Sequence, residues 1–397
     1  MTVAQLLKKR FQTIVFEKED RPGGLIRCDR INNSLFHQCG GHVFNSHRLD
    51  VLEWFWKIFD QEKDFIKHNR NSVIHFFPNI IIPYPIENYI YKLPAPIQYD
   101  IIHDLLNHEA LVSDNISLEQ FFKYTFGETL YKHYFQPYNE KIWRSKLSDI
   151  PMSWLQGKLP MPKTEEILFN NFNRVTEKSF VHSSFWYPHK NGSQFIADKL
   201  SMGLNIIYST KVNAIIYNQP KWIINGEEFD KVVFCGNIKE IPVLIKGINI
   251  SAFYNGIKEL KYHGTTSVFC EILSNPYTWI YLPNPNYKAH RIICTGNMSD
   301  SNNTHGIITA TVEFTDYLET NDIQEELKKI PYVKRYITHS YHQFTYPIQS
   351  DNTREMIKRI KKTLKPYDFY ITGRFADWEY YNMDAAIGAA INTCTKI

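Results

Sequence analysis

The chain has 397 residues, 45 basic and 41 acidic, and a formal net charge of +4. This length allows two or three domains, and 43% hydrophobic with 22% charged residues is the balance of a globular protein. So small a charge excess argues against a nucleic-acid partner. No apolar run approaches the roughly 18 residues of a membrane span, and the best candidate, residues 80–86, is broken by Pro83 and Pro85.

Val3, Leu6 and Leu7 share one face of a helix expected to run to about Arg10. Residues 13–16 are β-branched and apolar, predicting a strand that ends at Glu17, and Asp20 to Gly24 read as a turn. An acid at such a strand end is where a dinucleotide fold holds ribose hydroxyls. The first strand and the glycine-rich phosphate loop of such a fold are not in the sequence, which reads as starting after them. Residues 47–68 are predicted helical through Leu49, Leu52, Phe55, Ile58 and Phe59, and residues 73–91, rich in proline, as strands and turns. Ser117 and Gln120 form a capping box that opens a helix carrying aromatic residues towards Tyr134 and Phe135. Residues 205–208 and 212–217 read as a strand pair, with further strands at 222–224 and 232–234. Strand patterns dominate 262–345, including 267–272 and 307–314. A basic helix opens at Asn352 and Glu355 and ends at Pro366. Residues 369–371 form a strand, and a last helix begins near Asp384.

Cys28, Cys39, Cys235, Cys270, Cys294 and Cys394 stand apart with no CxxC pair, so they read as reduced, buried thiols rather than a zinc or dithiol site. The histidines lack metal-ligand spacing, and no metal is expected. With no signal-peptide pattern at Met1, the expected location is cytoplasmic.

Four segments carry a resemblance. They are Val15-Phe16-Glu17-Lys18 with Arg21-Pro22-Gly23-Gly24; Cys39-Gly40-Gly41-His42-Val43-Phe44; Tyr134 to Trp143; and Gly373 to Asp384. In this order the chain resembles flavoproteins of the amine-oxidase and protoporphyrinogen-oxidase superfamily, and within it the UDP-galactopyranose mutases. The last segment, Gly-Arg followed by Tyr-x-x-Met-Asp, is the most specific. The resemblance implies an α/β fold: a discontinuous, Rossmann-like FAD-binding domain of glutathione-reductase type at 1–45, 195–245 and 366–397. A mainly helical subdomain at 46–194 and an antiparallel-sheet substrate subdomain at 246–365 would be inserted into it. Without the phosphate loop, the chain is expected to hold FAD poorly.

The resemblance also implies roles. FAD would be held by Glu17, Lys18, Gly23, Gly24, Gly41, His42, Val212, Gly373, Arg374, Asn382, Met383 and Asp384. Glu17 would take the adenosine ribose, and the glycines would admit the cofactor where a Cβ would obstruct it. Arg374 can pair with a diphosphate, and the helix start at 382–384 suits the electron-rich edge of a flavin. A strand-end charge, a simple turn, a surface arginine and a packed valine are the alternatives for Glu17, the paired glycines, Arg374 and Val212. Arg291, Tyr346 and Tyr380 resemble the residues that hold the substrate diphosphate. Tyr262-His263-Gly264 stands where mutases usually have Tyr-Arg-Ser, and Asn382 where many have aspartate.

The implied activity is conversion of UDP-galactopyranose to UDP-galactofuranose in cell-surface polysaccharide synthesis. The N5 of reduced FAD would attack the anomeric carbon, with no side chain as nucleophile and His42 near the flavin. A nucleotide sugar, an electron donor for the flavin and a homodimer partner are the expected partners. An FAD-dependent oxidoreductase of the amine-oxidase or protoporphyrinogen-oxidase type is the alternative. A cofactor-free binding protein is a third reading, given the missing phosphate loop.

Overall fold

The computed structural model describes residues 1–77, 80–107, 116–152, 162–175, 183–304 and 306–397. It is a mixed α/β chain. Helix Thr2–Leu7 packs on the C-terminal helix Met383–Cys394. Strand Ile14–Phe16 pairs in parallel with Asn205–Ile207, and Val232–Phe234 pairs in parallel with Phe369–Ile371. These short apolar strands, far apart in sequence, place the Glu17 turn and the Gly373 turn at strand ends. A small sheet of Glu227–Phe229, Lys221–Ile224, Ile215–Asn218 and Ile245–Lys246 adjoins them. Its Trp222 is fully buried with Phe369 and Ile371. The segments at 205–208 and 212–217 do not pair with each other: Asn205–Ile207 joins Ile14–Phe16, whereas Ile215–Asn218 joins Lys221–Ile224.

The largest sheet has seven strands, in the order Val333–Ile348, Lys261–Ile272, Ile308–Thr315, Ala289–Ile293, Trp279–Tyr281, Ser72–Phe77 and Ile80–Pro83. All neighbours are antiparallel except Trp279–Tyr281 with Ser72–Phe77. The antiparallel sheet therefore is not confined to 246–365 but takes two strands from 72–83. The helical expectation for 47–68 is also corrected at its end. Leu49–Ile58 and Gln61–Asp64 are helices, but Phe65–Asn69 is a strand paired with Ser184–Pro188. Phe65, fully buried, packs there among Phe44, Phe55 and Phe59. Its distant partner strand, not local periodicity, decides its conformation.

Helices Ala95–Asn107, Leu118–Leu130, Gln136–Trp143 and Thr164–Phe172 cover one side. The Ser117–Gln120 capping box is formed as expected. The following helix breaks at Gly127, where φ is +83°. Asp104 Oδ2 accepts the Thr129 N–H at 2.7 Å and restarts the helix. A π-helical turn, Tyr131–Phe135, then leads into Gln136–Trp143. Phe122, Phe126 and Phe135 stack within this core. Lys141 fastens the last helix to the sheet, donating to the carbonyls of Leu282, Asn284 and Ala289 at 2.7, 2.9 and 3.2 Å. That clamp fixes Tyr138 and Trp143 over the sheet surface. Among the described residues, no helix is long and apolar enough to cross a membrane.

Candidate functional site

Strand pairing brings the predicted residues into two neighbourhoods. At the first, the Glu17 N–H donates to the Ile207 carbonyl at 3.0 Å, and the Thr210 N–H donates to the Glu17 carbonyl at 2.9 Å. Val212 follows and packs on the core beside Phe16. Glu17 and Val212, far apart in sequence, thus flank one strand end. Lys18 is exposed and pairs with Glu19 at 3.8 Å. Gly23 has φ +129°, and a Cβ on it would meet Arg27 Cγ at 2.9 Å. Gln194, from helix Gly192–Ser201, donates to the Pro22 carbonyl at 3.1 Å and holds this turn. Gly24, with φ +54°, faces open space.

The second neighbourhood lies on the large sheet. Antiparallel register places Tyr281 opposite Arg291, and Arg291 opposite Glu313. Arg291 Nε donates to Glu313 Oε2, and Arg291 Nη2 donates to the Tyr346 hydroxyl at 3.1 Å. Tyr346 stacks on Tyr380 at 5.3 Å and 15°, with Trp143 edge-on to both at 5.7 Å. The Arg374 guanidinium lies 4.5 Å from the centre of the Tyr380 ring. Its N–H groups donate to the carbonyls of Thr345 and Tyr381. Gly373, with φ +121°, lets the chain turn into this position. Beyond Arg291 the row continues through Tyr281, which is edge-on to Tyr138 and 5.0 Å from Tyr84. Arg70 donates to the Tyr281 hydroxyl and sits 4.6 Å from the Trp279 ring. The result is a wall of phenols interleaved with guanidinium groups, which suits an anion carrying flat or hydroxyl-rich groups.

The Cys39–His42 loop is tied to this wall. The Gly40 N–H donates to Glu313 Oε1 at 2.8 Å. A Cβ at Gly41 would lie 2.5 Å from Ile293 Cγ2, so only glycine lets the loop approach the sheet this closely. Burial alone would raise the Glu313 carboxyl, but Arg291 beside it holds it well below the usual carboxylate range. Burial, with Arg374 nearby, pushes His42 down to about 4, so the ring is neutral at pH 7. The His42 Nε2 atom is buried with no hydrogen-bond partner among the described residues. Asn382, Met383 and Asp384 begin the C-terminal helix. Ser46 donates to Asp384 Oδ2 at 3.2 Å, and burial raises this carboxyl.

The structure therefore gathers His42, Arg291, Tyr346, Tyr380 and Arg374, and separately brings Glu17 and Val212 to one strand end, while Gly23 and Gly24 form a turn against helix Gly192–Ser201. Sequence reasoning missed Glu313, Arg70, Trp279, Tyr281 and the role of Trp143 as a ring contact. A lone carboxylate inside the apolar strand Ile308–Thr315 was the available signal for Glu313. Among the described residues, no group of three His, Cys, Asp or Glu could hold a metal ion.

A family model described as an NAD(P)-binding Rossmann-like domain matches residues 1–61. The UDP-galactopyranose mutase of Mycoplasma genitalium is 20% identical over 410 aligned positions, covering 97% of this chain and 89% of that protein. A crystal structure of reduced UDP-galactopyranose mutase superposes with a TM-score of 0.88 at 19% identity, covering 99% of this chain and 90% of that one. A protein described as a protoporphyrinogen oxidase, from Exiguobacterium sp. 255-15, gives a TM-score of 0.74 at 11% identity, with 99% and 94% covered. A putrescine oxidase variant gives 0.64 at 10% identity, with 99% and 95% covered. The chain is thus a distant sequence relative of UDP-galactopyranose mutase and has its Rossmann-containing α/β fold.

Proposed function

We propose that this chain is an FAD-dependent isomerase of the UDP-galactopyranose mutase type, interconverting UDP-galactopyranose and UDP-galactofuranose for cell-surface polysaccharide. The observation that carries this reading is the Arg291–Tyr346–Tyr380 row, joined through Glu313 to the glycine loop that bears His42. Such a row would serve as a diphosphate cradle, with the cofactor lying against it.

The residues present fit FAD. Gly373 holds a positive-φ turn just after strand Phe369–Ile371, Gly23 one just before the short turn Gly24–Ile26, and the buried Nε2 atoms of His42 and His342 lack partners among the described residues. Glu17 would bind the adenosine ribose with Val212 beside it. Lys18, Gly23, Gly24, Gly41 and Gly373 would line the cofactor, and the 382–384 helix start would face its pyrimidine edge. When bound and reduced by an external electron donor, FAD supplies the nucleophile for the anomeric carbon.

The chain's own work is positioning. Arg291, oriented by Glu313, would hold the diphosphate with Tyr346 and Tyr380 as hydroxyl donors. Arg374 would add a fixed positive charge behind Tyr380. Trp143 and the tyrosines would exclude water, strengthening those charge contacts. Neutral His42 would lie at the flavin without adding charge. The test is UDP binding to the full chain by calorimetry. Arg291→Ala should weaken it by about 2–4 kcal/mol, and Tyr346→Phe, which keeps the stack, by about 1 kcal/mol. Affinity unchanged in both variants would favour the oxidoreductase alternative.

A further inference from the structure

His263 is the third ring of the tyrosine stack. It pairs in register with Tyr346, and the two rings lie 4.6 Å apart at 19°. Trp143 closes over it, with ring centres 6.5 Å apart, and the side chain is only 4% exposed. Its Nδ1 lies 2.9 Å from the Gly264 carbonyl oxygen. A carbonyl only accepts, so Nδ1 carries the hydrogen. In the neutral ring Nε2 is then a bare lone pair. It is buried with no hydrogen-bond partner among the described residues. A buried acceptor left open in this way is costly unless something occupies it.

The charges around the ring set when Nε2 takes a proton, which turns it from an open acceptor into a donor that an anionic oxygen can satisfy. Arg144, at the end of helix Gln136–Trp143, and Arg374, in the turn before Tyr380, both disfavour a proton on it. Asp316, which follows strand Ile308–Thr315, favours one. Tyr346 is the titratable group on the neighbouring strand, and its hydroxyl accepts from Arg291, itself paired with Glu313. Arg144 is itself paired with Asp316 at 3.5 Å and Arg291 with Glu313, so among the described residues Arg374 is the guanidinium near the ring that no carboxylate balances.

We propose that His263 takes up a proton from solvent onto Nε2 when a diphosphate diester binds at Arg291, Tyr346 and Tyr380, making nucleotide-sugar binding proton-coupled. This rests on the diphosphate reading of that row. Burial, with the two arginines, holds the empty-site ring below the ordinary histidine range, so it is neutral at pH 7. The diester brings two negative charges to the row, outweighing Arg144 and Arg374, and the ring protonates. Affinity should then fall as pH rises, by up to tenfold per unit once the complex must draw its proton from scarce solvent protons.

The experiment is calorimetric titration of the full, FAD-loaded chain with UDP-glucose, whose bridging diphosphate gains and loses no proton near neutrality. The titration is run at pH 7 in PIPES and in imidazole buffer, and affinity is then followed from pH 6 to 8.5. The dependence of the measured heat on buffer ionisation heat counts the protons taken up. Wild type should take up a substantial fraction of one proton and lose affinity across that range. His263→Gln should take up none and bind independently of pH, and His263→Arg should bind tightly with a flat profile. UDP-glucose binding with no proton uptake by wild type, or with undiminished uptake in His263→Gln, overturns the proposal and leaves the diphosphate site standing. No binding of UDP-glucose or UDP by wild type overturns both.

Discussion

Replacing Glu313 by glutamine keeps the side chain's shape and removes its charge. The carboxylate is 1% exposed and serves two groups, the Gly40 N–H at 2.8 Å and the Arg291 guanidinium, with the neutral His290 ring 3.4 Å away. Glutamine can still accept from Gly40, so the chief loss is the partner of Arg291. Breaking a buried ion pair by removing one member costs about 3–5 kcal/mol, because the other charge stays uncompensated. The Arg291 side chain is 19% exposed, so some solvation returns and the expected loss is near the lower end, about 3 kcal/mol. The pH dependence has a definite sign. A carboxyl held below its unfolded value of about 4.3 stabilises the fold above that pH and loses its effect as pH falls. The gap between wild type and Glu313→Gln should therefore be widest at pH 7 and shrink below about pH 4. Urea unfolding followed by circular dichroism measures it. A gap under about 1 kcal/mol at pH 7, or one that does not narrow on acidification, would refute the assignment of Glu313 as the anchor of Arg291.

Gly127→Ala places a Cβ 2.6 Å from Asp104 Cβ at a residue with φ +83°. It should lower stability by about 2–4 kcal/mol, and a variant as stable as wild type in the same urea titration would show that the helix break is not enforced there. Acid should destabilise the protein through His37, fully buried and pushed down to about 3, and His42, pushed down to about 4, both by burial. The unfolded chain binds protons at these sites below about pH 6.5 while the folded chain does not. Stability is therefore intact above that pH, and His37 alone should cost about 2 kcal/mol between pH 7 and 5. A denaturation midpoint flat over that interval would contradict this, and His37→Gln should reduce the slope.

Local signals told the truth where local chemistry decides. The capping box at Ser117, the buried strand around Trp222 and the glycine turns at Gly23 and Gly373 could be read from a few residues. The family resemblance named Arg291, Tyr346, Tyr380 and Arg374 as separate points in the chain. Only the registers of Ala289–Ile293 and Val333–Ile348 with their neighbours make them one wall. Phe65–Asn69 carries a helical pattern, and its pairing strand lies at Ser184–Pro188, far beyond any local window. Glu313 gives no local signal of its role for a similar reason. In Ile-Thr-Ala-Thr-Val-Glu-Phe-Thr it is one charge in a strand, and its meaning comes from Arg291 across the sheet. His263 differs again. Its departure from the usual arginine was visible, but its place against Tyr346 and its open Nε2 belong to the packing.

The central claim is that this fold isomerises a nucleotide sugar on a reduced flavin, and turnover tests it most directly. The full chain, loaded with FAD and reduced with dithionite under anaerobic conditions, is incubated with UDP-galactofuranose and the products are separated by anion-exchange chromatography. The account predicts UDP-galactopyranose from the reduced protein, none from the oxidised protein, and sharply less from Arg291→Ala. A fully reduced, FAD-loaded protein that leaves UDP-galactofuranose unchanged would contradict it.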